Sequence, residues 1–197
     1  MTNNYNREKF AQAAQKELEP NIYKHSLALE ACLEGLYDYL QDQAKTNLGD
    51  KNDWLLAGLV HDIDYSPRFK DQHPNKTREV LAQYGLEISD FVHQVIKDHD
   101  GRSAAPPHSL AGWAIRSADS LTGLIVAVAL VYPTKTLAEV KLSSVMKRFL
   151  KEPKFAAGTR REEVQKCEDP EGLAIPLEKF VEICLNSMKA IAPTLGL

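Results

Sequence analysis

A short apolar run that stops on a histidine and an aspartate constrains this chain more than any other feature. In Asp53–Tyr65, DWLLAGLVHDIDY, the apolar segment Leu55–Val60 ends in His61-Asp62, and Asp64 follows two residues later. Trp54, Leu55, Gly58, Leu59 and Asp62 recur at helical spacing, so the run predicts a core helix with Asp53 as its N-cap. Burying a His and an Asp at the end of such a helix is costly unless something pairs with both. A metal ion does so, since neutral imidazole and carboxylate are common ligands of zinc, iron and manganese. The dipeptide alone fits a plain helix terminus equally well, and His99-Asp100 is a second such pair. The rest of the chain decides between the two.

The 197 residues suffice for one domain with a real core, or one domain with an appendage. Formal net charge is −3, which gives no general attraction to nucleic acid. Cys32, Cys167 and Cys184 are an odd, widely spaced set with no CxxC pair. They fit a reducing cytoplasm rather than a disulfide framework. The polar start, MTNNYNREKFAQ, has no apolar signal core. The most apolar stretch, Leu121–Tyr132, is short of the roughly twenty residues that span a bilayer, and reads as a buried helix.

Helical period runs throughout. Asn6–Glu19 reads as a peripheral amphipathic helix, closed by Pro20. A second helix, Asn21 to about Lys45, puts His25, Leu29, Cys32, Leu33, Leu36 and Leu40 on one inward stripe. After the central run, the loop 66–75 (SPRFKDQHPN) brings His73 to the start of a helix Lys76–Tyr84, stopped by Gly85. There the dipole favours a neutral imidazole. Ser89 caps a further helix that ends at Lys97-Asp98-His99-Asp100. His93 and His99 fall on different faces, and His99 is the better ligand candidate. A long helix, Ser109–Val131, holds Asp119 among apolar neighbours, where a carboxylate needs a partner; Arg116, three residues away, is one candidate. Pro133 ends it. From 141 to 166 the chain carries eight Lys and Arg against three Glu. That segment is a solvated basic face or a phosphate-binding rim. Pro176–Ile191 is a closing amphipathic helix. No Gly-rich phosphate loop and no GxSxG elbow occur.

The order His25, His61-Asp62, His73, His99, Asp119, all on helices or their flanks, resembles the HD-domain superfamily of metal-dependent phosphohydrolases. LAGLVHDIDY and AIRSADSLTGLI are similar to the ligand-bearing stretches of its small, HDIG-type members. The resemblance implies an all-α HD-domain helical bundle. It would have an N-terminal peripheral helix (1–19), a metal-binding domain (20–135) and a C-terminal helical extension (136–197) on the same core. It implies one metal on His25, His61, Asp62 and Asp119, and a second on His73, His99 and a shared Asp62. Iron or manganese suits the thiolate-free set, with zinc, cobalt, nickel or magnesium as alternatives. Two cations about 3.5–4 Å apart can activate a hydroxide for in-line attack on phosphorus.

The chain departs from the family pattern in three places. Asp64 replaces the glycine of HDIG, so a catalytic or ligand-orienting role there is open. No GYP triplet follows, which argues against cyclic-dinucleotide cleavage. The lysine often found after the doublet is missing, and Arg68 could replace it. Lys97 and Arg116 flank the ligands as phosphate-binding candidates; Lys147, Lys151 and Arg160 are weaker ones. The expected partner is a small, nucleotide-like phosphate ester or anhydride, with no membrane and no nucleic acid; a homodimer is left open. A di-iron oxygenase on the same fold and a non-catalytic nucleotide-binding module are the alternatives.

Overall fold

The structure, a computed structural model, describes residues 6–103 and 105–197. Among these there are ten α-helices and no strand, as an all-α HD-domain bundle requires. Two long helices form the frame. Helix α2 (Pro20–Asp42) starts with proline at its first position, where the missing N–H costs nothing. Its buried positions, Leu27, Leu29, Leu33, Leu36 and Leu40 among them, cover more than one face. It therefore packs against several partners: α3 (Lys51–Val60), α6 (Leu110–Leu130) and α9 (Leu177–Ala190). α6 is capped by Ser109, whose hydroxyl accepts from Gly112 N–H. By length and composition α6 is long and apolar enough to cross a membrane, but 67% of its apolar window is buried within the fold. Its hydrophobicity is spent on the core.

The smaller helices complete the layers. α1 (Arg7–Glu17), capped by Asn6, lies against α3 and α2, and Arg7 forms a two-pronged ion pair with the buried Glu30, both contacts at 2.6 Å. α4 (Thr77–Ala82) ends in a turn closed by Gly85 at φ +65°. α5 (Asp90–Asp98), capped by Ser89, bridges α3 and α6. Beyond Pro133, α7 (Leu142–Lys151), α8 (Arg161–Gln165), α9 and the short α10 (Ala192–Leu195) pack back on α2 and α6 and share their hydrophobic core. The three cysteines are buried and free.

One helix start differs from expectation. Asp50, not Asp53, caps α3, accepting from Asn52 N–H at 2.8 Å after the left-handed Gly49. The earlier start places Trp54 inside the helix, where its indole N–H donates to Leu48 O at 2.7 Å. Asp53 then lies in the first turn, where a negative charge suits the dipole.

Gly58 sets the spacing that matters for the site. A Cβ there would lie 2.9 Å from Glu30 Cα and 3.0 Å from Glu30 N, so α2 and α3 meet backbone to backbone. His25 and His61 are each about one turn from that contact. Gly58→Ala should lower stability by about 1–3 kcal/mol, because backbone cannot yield as a side chain does. Urea unfolding checks this; an unchanged midpoint would show that the helices are not held so close.

Candidate metal centre

Four imidazoles and two carboxylates meet where α2, α3, α5 and α6 converge. His25 comes from the first turns of α2. His61 caps the C-terminus of α3, and Asp62 and Asp64 follow in the turn. His73 comes from the loop before α4, His99 from the C-cap of α5, and Asp119 from the middle of α6.

The outer nitrogen of every imidazole is committed. His61 Nδ1 donates to Gly58 O at 2.9 Å, and His99 Nδ1 donates to Ile96 O. A carbonyl only accepts, so both nitrogens carry hydrogen. Thr122 spends its own hydroxyl hydrogen on Asp119 O, so it accepts from His25 Nδ1 at 2.8 Å. His73 Nδ1 lies 2.6 Å from the Asp64 carboxylate, an acceptor. With hydrogen on Nδ1, each ring when neutral presents an Nε2 lone pair inward, and the Nε2 atoms face one another: His25 to His61 at 3.2 Å, His73 to His99 at 3.0 Å.

Facing lone pairs at this distance repel unless a cation or a proton lies between them. The carboxylates deepen the negative potential. Asp62 straddles both imidazole pairs. Its Oδ2 is 3.2 Å from His61 and 3.7 Å from His25; its Oδ1 is 3.4 Å from His73. Asp119 Oδ1 stands 3.0 Å from His25 and 4.0 Å from His61. Ligands about 2.1 Å from a shared ion are themselves roughly 3.0–3.4 Å apart; five of the seven separations fall in that range, and His25–Asp62 at 3.7 Å and His61–Asp119 at 4.0 Å are wider. Among the described residues, two groups could hold a metal ion: His25, His61 and Asp62, and Asp62, His73 and His99.

The electrostatics agree. Burial disfavours the charged form of His61, but the Asp62 and Asp119 carboxylates outweigh it and push its pKa up to about 9. Burial, reinforced by the neighbouring His61 charge, pushes His99 down to about 4. Burial works against ionising Asp62 and Asp119 too, but the surrounding imidazoles hold both far below the usual carboxylate range. Without a metal, the first pair thus keeps a proton on His61, while His99 stays neutral.

The cluster opens into a cleft of about 280 Å³, lined by Asp62, His73, His99 and Asp119 and by Tyr65, Lys70, Asp100, Arg102 and Arg160. A larger cavity of about 520 Å³ near Tyr23 and Lys24 has no His or carboxylate in its lining, so the chemistry belongs to the smaller one.

Of the anticipated phosphate-binding residues, only Arg160 lines this cleft, and it donates to Asp119 Oδ2. Arg116 does not pair with Asp119. It is buried, with Nε donating to Asp98 O at 2.6 Å and Nη1 to Ala105 O at 2.9 Å, and so holds the 98–105 turn. Lys97 is exposed and faces a separate pocket with Asn75 and His108. Lys147 and Lys151 lie on α7, exposed and outside the cleft lining; Lys147 is 3.5 Å from Glu152. Arg68 is also exposed, stacked 4.6 Å from the Phe69 ring. His93 is half-buried and does not line the cleft. Sequence reasoning passed over Tyr65, Lys70, Arg102 and Thr122. Thr122 carried a usable signal, lying one helical turn after Asp119. The others lie outside the α-helices, with no periodicity to mark them.

One pH dependence follows. At pH 7 the metal-free protein holds a proton on His61, which a cation must displace, whereas Asp62, Asp119 and His99 are already unprotonated. Metal affinity should therefore rise by about tenfold per pH unit from pH 7 toward 9, with about one proton released on loading. Calorimetry in buffers of differing ionisation enthalpy measures the proton; loading without proton release would contradict it.

The model of the HD domain matches residues 22–129, the segment that contains all six converging side chains. No curated protein and no solved structure matches the chain significantly. The match covers more than half of the chain, and the protein belongs to the HD-domain family.

Proposed function

We propose that this protein is a metal-dependent phosphohydrolase that cleaves a small, nucleotide-like phosphate ester or anhydride with two divalent ions, iron or manganese. HD domains are generally metal-dependent hydrolases. The observation that carries the two-ion reading is the split Asp62 carboxylate, one oxygen toward His25 and His61 and the other toward His73. Ions held there would supply Lewis acidity to phosphoryl oxygens and make water nucleophilic near neutral pH.

The chain's own residues supply the rest. The donor set is imidazole and carboxylate without thiolate, which suits iron and manganese. Lys70 and Arg160 are cations at the cleft wall, placed to neutralise charge on the equatorial oxygens of a phosphoryl group. Arg102 acts on the protein instead. It grips Asp100 and donates to His73 O at 2.9 Å, tying together the two turns that bear His73 and His99. The cleft is at the small end for a ligand site. It accommodates a phosphoryl group and its immediate substituent, and leaves the remainder of the substrate at the rim, beside the exposed ring of Tyr65.

A phosphate-release screen with Mn²⁺ or Fe²⁺ over nucleotides and small phosphate esters tests the activity. Asp62→Ala should lose both ions and all turnover, because both half-sites use its carboxylate. His73→Ala should lose one equivalent and keep the other, as read by metal analysis. An Asp62→Ala protein with full metal content, or a His73→Ala protein that still holds two ions, would overturn the assignment.

A further inference from the structure

Asp64 occupies the position where the HDIG pattern has glycine, and it is fully buried. A carboxylate removed from water needs donors for both oxygens. Here Oδ1 accepts from His73 Nδ1 at 2.6 Å, and Oδ2 accepts from the backbone N–H of Lys76 at 2.7 Å. His61 and His99 donate their outer hydrogen bonds to carbonyls of their own helices, and His25 donates to Thr122 on α6. His73 differs: it sits on a loop, and its outer bond goes to a carboxylate. The second donor to that carboxylate lies three residues beyond His73. One side chain thus grips both the ring and the loop that carries it.

We propose that Asp64 is a positioning residue that creates the second cation half-site. It holds His73 as the Nδ1–H tautomer and pins the loop so that Nε2 faces His99 and Asp62. The consequence for metal content rests on the two-ion reading above, but the tautomer does not, since it is a property of the metal-free protein. Asn at this position separates positioning from packing. It is almost the same size, yet its amide has a single acceptor oxygen. The Lys76 N–H, which points into the buried Asp64 carboxyl, claims that oxygen, and the NH₂ then faces His73 Nδ1. That favours the opposite tautomer, with hydrogen on Nε2, where no ion can bind. The same inversion follows when an amide replaces the carboxylate of a catalytic triad.

The test is long-range ¹H–¹⁵N NMR of metal-free, ¹⁵N-histidine-labelled protein, paired with Zn²⁺ titration. Wild-type His73 should be Nδ1–H and Asp64→Asn should be Nε2–H. Asp64→Glu, which keeps a carboxylate, should retain Nδ1–H. The second zinc equivalent should bind about 10–100-fold more weakly to Asp64→Asn, or be lost, with the first unchanged. A wild-type His73 found as Nε2–H would overturn the proposal. So would an Asp64→Asn protein that keeps Nδ1–H and binds two equivalents at wild-type affinity. Should Asp64→Asn fail to fold, the wild-type and Asp64→Glu spectra decide. A wild-type spectrum with Nδ1–H in a protein that takes up no metal supports the orientation of His73 by Asp64 but overturns the half-site, together with the phosphohydrolase reading.

Discussion

Everything at this site depends on where four imidazole hydrogens point. Each Nδ1–H is bonded outward, to Gly58 O, Ile96 O, Thr122 Oγ1 or Asp64. In the neutral rings the inward nitrogens offer lone pairs, and they share their space with two carboxylates. Such a group is poorly suited to hold the fold together, since it concentrates negative potential in partly buried surroundings. It is well suited to hold cations. Protonation of His61 relieves the first pair in the metal-free protein. The second pair has no equivalent relief at His99, whose burial keeps it neutral.

The bundle is arranged to bear that cost. Five of the six ligands sit on, or directly after, α2, α3, α5 and α6, helices whose apolar faces form the core; His73 sits on a loop. Gly58 removes the side chain that would keep α2 and α3 apart. Thr122 links α6 to His25, and Arg116 links α6 to the turn after α5. The C-terminal helices lie outside the segment matched by the family model, yet the loop before α8 brings Arg160 to Asp119. The tail is thus part of the cleft wall as well as part of the core.

What could be read from residues alone follows a physical divide. The helices announce themselves by period, and the cap at Ser89 by residue type. His and Asp at the ends of apolar runs were conspicuous because such groups are expensive to bury. Partners across the fold were not legible. Arg116 is the close neighbour of Asp119 in sequence, but its side chain leaves along another direction to bind Asp98 O, and the guanidinium at Asp119 comes from 41 residues away. Lys97 lies two residues before His99, yet faces a different pocket. Asp50 rather than Asp53 caps α3, and the indole of Trp54 reaches back to the carbonyl of Leu48, a pairing that residue type does not announce. The cations Lys70 and Arg102 obey no periodic rule, and only three-dimensional proximity reveals them.

Anomalous diffraction from crystals grown with Mn²⁺ tests the central claim most directly. The account expects two peaks about 3.5–4 Å apart, one among His25, His61, Asp62 and Asp119, the other among Asp62, His73 and His99. Crystals without a manganese peak among these side chains, or with the imidazoles turned so that their Nε2 atoms no longer converge, would contradict it.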